Sequence, residues 1–229
     1  MTLTISVRRI RQFLLIIAVF FTLLSLTARL LQPGTGGIAR LFDVNAEMSY
    51  PNWYSSLILA ASCLLLAAIA GVLMRLQRME FIVHWIFLSA TFALLSSDEI
   101  VGLHESMSTV MRRLGNFTGF LRFAWVVPAG VGVFAFGLAY LRFLAALPVR
   151  RRNQFVVAGF IYVLGALGME MIGAKQMDLY SRSSTAYISS YHLEELLELC
   201  GVALFNAALI EHLAGLLGPD GLRLRFSTE

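Results

Sequence analysis

Six apolar runs, each close to the roughly 20 residues needed to cross ~30 Å of hydrocarbon at 1.5 Å per residue, dominate this chain. They lie near residues 10–31, 53–74, 81–103, 120–146, 155–173 and 188–216. In lipid the backbone must satisfy its own hydrogen bonds, so runs of this length predict helices. The expected fold is all-α: a polytopic membrane helical bundle of about six transmembrane helices, forming one integral membrane domain over 1–229. Composition agrees, because 58% of the residues are hydrophobic and only 14% charged, outside the range of ordinary soluble domains. The net charge of +4 comes almost wholly from arginine, with Lys175 the sole lysine. Most of these arginines fall in short segments between apolar runs, which reads as a topology signal and gives no indication of a nucleic-acid partner.

With both termini in the cytoplasm, eleven of the eighteen basic residues fall inside: Arg8, Arg9, Arg11, Arg75, Arg78, Arg142, Arg150, Arg151, Arg152, Arg223 and Arg225. Tyr50, Trp53 and Tyr54, with Tyr187 and Tyr191, supply aromatic belts at the outer ends of the second and sixth spans. A signal peptide competes for residues 1–31, but no small-x-small cleavage site follows the apolar run, so the first span is expected to be retained. Pro128 with Gly130, Gly132 and Gly137 is expected to bend the fourth span. Those glycines, and Gly159, Gly165, Gly168 and Gly173 in the fifth, are expected to allow close helix packing. Cys63 and Cys200 sit in apolar runs as small hydrophobes. The loop 32–52, opening with Pro33-Gly34-Thr35-Gly36-Gly37 and carrying Asp43, Asn45 and Glu47, is long enough to fold over the outer mouth as a lid.

Against this greasy background stand two clusters: Asp98, Glu99, His104 and Glu105 at the end of the third run, and His192, Glu194, Glu195 and Glu198 at the start of the sixth. Ionisable groups at membrane depth are expensive and mark function by default. In this topology both clusters, with Glu170 from the fifth run, converge on the outer face. Only residues 85–97 separate His84 from Asp98, about 20 Å of helix, and 199–210 separate Glu198 from Glu211, about 18 Å, both short of a ~30 Å core. Either the outer acids or the inner groups His84 and Glu211-His212 must then be submerged, and Arg150, Arg151 and Arg152, which pin the inner end of the fifth span at the interface, favour the outer acids. Asp98 and Glu105, seven residues apart, are expected to share one helical face about two turns apart, with Glu99 and His104 flanking it.

Six carboxylates in a low-dielectric site repel unless a cation compensates. Carboxylates with imidazole suit a divalent metal ion such as Zn, Mn or Fe. Asp98, His104, Glu105, His192, Glu195 and Glu198 are the expected metal ligands, with Glu99, Glu170 and Glu194 as catalytic acid or base. Arg112, Arg113 and Arg182 are placed to meet a headgroup phosphate or to snorkel at the interface.

The run Asp98-Glu99-Ile100-Val101-Gly102-Leu103-His104-Glu105, with Glu194-Glu195-Leu196-Leu197-Glu198, resembles motifs of uncharacterised bacterial multi-pass membrane proteins, a resemblance that carries no activity. It implies residence in the bacterial cytoplasmic (inner) membrane. Ceramidase-like membrane hydrolases look similar in gathering acids and histidines at one end of a helical bundle. Their His-x-x-x-His pair and seventh span are absent here.

The primary expectation is a membrane-embedded, metal-dependent enzyme, a hydrolase in its simplest form, acting on a lipid or other amphipathic substrate at the outer face. A cation- or proton-coupled transporter or channel is the alternative, with His84 and Glu211-His212 as an inner site. A non-catalytic subunit of a membrane complex is a third reading. The bilayer is the expected partner, with a homo-oligomer or larger assembly compatible with each.

Overall fold

In a computed structural model, residues 6–31 and 37–218 are described, and among them the chain is helical with no strand. Pro33 to Gly36, Arg223 and Arg225 lie outside the described residues. The helices are α1 (Val7–Leu31), α2 (Tyr50–Arg75), α3 (Ile82–Val101), α4 (Leu103–Leu114), α5 (Val126–Ala146), α6 (Val149–Val163), α7 (Glu170–Leu179) and α8 (Thr185–Leu217). A π-helical turn, Leu164–Met169, joins α6 to α7, so Val149–Leu179 forms one long run. Short 3₁₀ turns occupy Gly37–Phe42 and Gly119–Leu121. Five helices are long and apolar enough to cross a membrane, and six if α3 and α4 count as one broken span, bent by 80°.

Local chemistry sets several ends. Ser49 caps α2 by accepting the Asn52 N–H, with Pro51 in the first turn where no N–H is needed. Ser184 caps α8 the same way through the Tyr187 N–H. The fourth span starts at Val126, later than the expected 120, because Gly119 adopts φ +61° at the head of a separate 3₁₀ turn. Pro128 consequently falls in the first turn of α5, where its missing N–H breaks no helical bond. The expected bend at Pro128 is therefore replaced by a helix start.

The long helix α8 is central: half of its span is buried, and it packs against α1, α2, α6 and α7. Tyr54 Oη donates to the Leu14 carbonyl and Ala18 is fully buried, tying α1 into the bundle. Close packing by glycine holds at Gly165 and fails at other expected positions. A methyl at Gly165 would meet the Glu194 carbonyl and Glu198 Cγ at 2.9 Å, so α8 lies directly on the π-turn. Gly130, Gly132 and Gly137 of α5, and Gly159 of α6, face open space instead.

A floor of aromatic side chains divides the bundle. Phe92 stacks on Phe205 with centroids 4.9 Å apart, and Trp85, Phe143 and Phe155 complete the layer. At the end beyond it, Glu211 is bound by Arg150, Arg151 and Gln154, and His212 stacks on Trp85. Glu211 is thus neutralised, while the buried Nδ1 of His84 at the same end has no hydrogen-bond partner among the described residues.

Candidate functional site

Everything at the other end turns on Gly102. It is left-handed, φ +64° and ψ +44°, a conformation that side-chain-bearing residues adopt only at a cost, and it closes α3 while opening α4. The chain folds back across the end of α3. Asp98 and Glu105 therefore do not share one helical face, as a continuous helix would require. Asp98 instead reaches the first turn of α4: Oδ1 accepts the His104 N–H at 3.0 Å, and Oδ2 lies 3.0 Å from His104 Nδ1. With Nδ1–H donating to the carboxylate, Nε2 keeps its lone pair as a proton acceptor.

A cavity of about 460 Å³ lies against this fold-back. Asp98, Glu99, His104 and Glu105 line it from one side, and Glu170, Glu194, Glu195 and Glu198 from the other, so eight of the nine expected site residues share one volume. Glu99 is fixed by α2: Ser55 Oγ donates to Oε1 at 2.9 Å and Asn52 Nδ2 to Oε2 at 3.0 Å. The π-turn brings Glu170 in, where Trp125 Nε1 donates to its Oε1 at 2.9 Å. Such turns cost helical regularity and recur at functional sites. Glu194, Glu195 and Glu198 are half-buried, and among the described residues no basic side chain pairs with them. Tyr162 completes the polar wall.

The ninth residue, His192, stands apart from the cavity. Its Nδ1 donates to the Ile188 carbonyl at 2.8 Å, and its Nε2 accepts from Ser25 Oγ at 3.1 Å. Ser25 Oγ in turn accepts the Val44 N–H at 3.1 Å. Both ring nitrogens are engaged, leaving no lone pair for a metal, and the side chain serves as a clamp from α8 through α1 to the loop. That loop reaches over the cavity, since Val44, Asn45, Ala46 and Glu47 line it, and Val44 packs on Tyr187 and Tyr191. His192→Phe keeps the stacking on Tyr191 but removes both ring hydrogen bonds, of which the one to Ser25 is worth about 1 kcal/mol. Amide exchange at Val44 to Glu47 is expected to accelerate by about fivefold. Unchanged exchange would remove the clamp role.

Several side chains here carry little sequence signal. Asn52 reads as part of an aromatic belt, Ser55 and Tyr162 as isolated polar residues in apolar runs, and Trp125 as a span residue. Asn52 and Ser55 are tied to the site through Glu99 and Trp125 through Glu170, partners 44 or more residues away.

Among the described residues no three His, Cys, Asp or Glu side chains stand in the geometry of a metal centre. The carboxylates Glu105, Glu195 and Glu198 nevertheless offer oxygen donors, which suit a hard or borderline divalent cation. At the rim, Arg112 donates to Thr109 Oγ1 and Arg182 to Met177 Sδ, and neither makes an ion pair among the described residues. Lys175 lies over the Phe120 ring, 4.4 Å from its centroid, and Arg122 pairs with Asp178.

No curated protein and no solved structure matches the chain. A family model covers nearly all of the helical bundle, residues 13–213, and by that match the chain belongs to the family described as Domain of unknown function (DUF8692).

Proposed function

We propose that this protein is a membrane-embedded, metal-dependent hydrolase of the bacterial cytoplasmic membrane, with both termini cytoplasmic and the acidic cavity open to the outer face. The observation that carries this reading is the Asp98–His104 pair set beside unpaired carboxylates in one cavity. Asp98 fixes the imidazole, His104 Nε2 takes a proton from water, and Glu170 or Glu194 returns one to the leaving group. Glu195 and Glu198, a turn apart on α8, with Glu105 across the cavity, are the ligands assigned to the metal. When bound, that ion would supply charge compensation and acidify water. A lipid or amphipathic substrate suits a site reached from within the bilayer.

The aromatic floor formed by Phe92, Phe205, Trp85 and Phe155 favours a closed pocket over a transport path. Glu211, beyond it, is already bound by Arg150, Arg151 and Gln154.

The test is elemental analysis of protein purified in mild detergent, together with turnover of ester and phosphodiester lipids. About one Zn, Mn or Fe per chain is expected, lost in Glu195→Ala/Glu198→Ala. His104→Ala should keep the metal and lower kcat by a factor on the order of 10²–10⁴. Folded wild-type protein that neither retains nor takes up these metals would sink the proposal.

A further inference from the structure

The cavity has two unlike halves. Part of its lining is apolar: Ala129 and Val133 from α5, with Val163, Ala166 and Leu167 from α6 and the π-turn. Headgroup chemistry needs no such wall.

The bundle-facing stripe of α5 explains where this half leads. Ala129, Val133, Phe136, Tyr140 and Phe143 recur at helical spacing, small at the cavity end and aromatic at the other. Phe136 stacks on Phe87 and Tyr140, and Phe143 packs on Trp85, so the aromatic half of α5 is closed against α3. Along the small half no such contact forms. Val133 is 40% exposed although it lines the cavity. Only 11% of the α5 span is buried, against 50% for α8. Helix α5 thus packs sparsely along its middle, and Val133, which both lines the cavity and is exposed, marks a lateral slot from the cavity toward lipid.

A slot that joins a polar cavity to hydrocarbon, with walls of alanine, valine and leucine, matches the section of an alkyl chain. The rim supplies the other end of the ligand. Arg112 and Arg182 line the same cavity without an ion-pair partner among the described residues. Two guanidinium groups with no ion-pair partner among the described residues, beside a carboxylate cluster, suit an anionic headgroup held by charge-assisted bonds. The exposed stripe Leu103, Met107, Val110 and Leu114 on α4 is continuous with this picture: α4 turns 80° away from α3, placing its polar face, His104, Ser108 and Arg112, over the cavity and its apolar face toward lipid.

We infer that the ligand is a membrane lipid with an anionic headgroup, entering sideways with one acyl chain lodged between the cavity end of α5 and the π-turn. This rests on the hydrolase reading for what happens to the lipid, but the binding mode stands on the slot itself.

The experiment reconstitutes the full chain in vesicles containing phosphatidylglycerol with a diazirine on one acyl chain, followed by photolysis and peptide mapping. Label is expected on 129–133 and 163–167. Val133→Trp should lower it at least tenfold, whereas Phe134→Ala, on the outward face of α5, should leave it unchanged. If Val133→Trp fails to fold, Ala129→Leu takes its place. Arg112→Gln/Arg182→Gln should erase the preference for this lipid over the phosphatidylcholine analogue. Equal labelling in the slot-filling variant, or label confined to the Phe134 face, would overturn the inference. Slot labelling without turnover leaves the binding mode and removes the hydrolase. Turnover of a short water-soluble ester without slot labelling does the reverse.

Discussion

Gly201→Leu is expected to prevent stable folding in detergent, the largest stability effect of any single change in the bundle. At this position α8 meets α6 backbone to backbone. A methyl would lie 2.7 Å from the Tyr162 nitrogen and 2.8 Å from its Cβ, closer than van der Waals contact allows. The obstacle is main chain, so no rotamer change relieves it, and the two helices must separate. Membrane helices associate through van der Waals fit, with no hydrophobic drive between them, so separation loses the interaction itself. Overpacking costs about 3 kcal/mol or more here, with Gly201→Ala milder than Gly201→Leu. Gly137→Leu, on a helix face with nothing within 4 Å, should be nearly neutral. Thermal unfolding followed by size exclusion distinguishes them. A Gly201→Leu protein as stable as the wild type would refute this account of the α6–α8 contact.

Gly102→Val is expected to disassemble the site while leaving the bundle folded. Valine at φ +64° is strained by about 2 kcal/mol, and its Cβ would lie 2.6 Å from Glu47 Oε1. The relaxed alternative lets α3 continue, which places residue 104 about 240° around the helix from residue 98, out of reach of its carboxylate. The ¹⁵N signature of an Nδ1-protonated, carboxylate-bound His104 should disappear, and turnover should fall by a factor on the order of 10² or more. Gly102→Asn should retain more of both than Gly102→Ala, because asparagine tolerates the left-handed region. That ranking separates backbone strain from the added bulk of a side chain, since asparagine is the larger of the two. An unchanged His104 signal in Gly102→Val would show that the fold-back does not depend on the glycine.

The spans are readable because hydrocarbon thickness is a length requirement written directly in runs of apolar residues. The break at Gly102 is not. Membrane helices carry many glycines, and Asp98 to Glu105 reads equally well as two turns of one helix. What decides for a turn is Asp98 capping the new helix, a bond visible only once the chain has turned. His192 misleads for a related reason. Its spacing of three from Glu195 suggests a shared stripe, yet that spacing also sets a residue toward the edge of a face, and here the edge belongs to Ser25 and α1. Convergence of the two acidic clusters comes from topology, which the charge distribution of the loops and the span count together constrain. The residues that orient the acids, Asn52, Ser55 and Trp125, lie far away in sequence and carry no periodic signal.

The π-turn at Leu164–Met169 also sets a rotational phase. An i to i+5 turn holds one residue more than an α-turn, so everything after it is rotated by about 100° relative to an uninterrupted helix. Deleting one residue there would give α6 and α7 a more regular hydrogen-bond ladder, and would swing Glu170 off the cavity and away from Trp125. The segment therefore keeps a less regular helix than it could form. Within this family, a single-residue gap in that turn would mark members whose fifth span still crosses the membrane but no longer presents a carboxylate to the pocket.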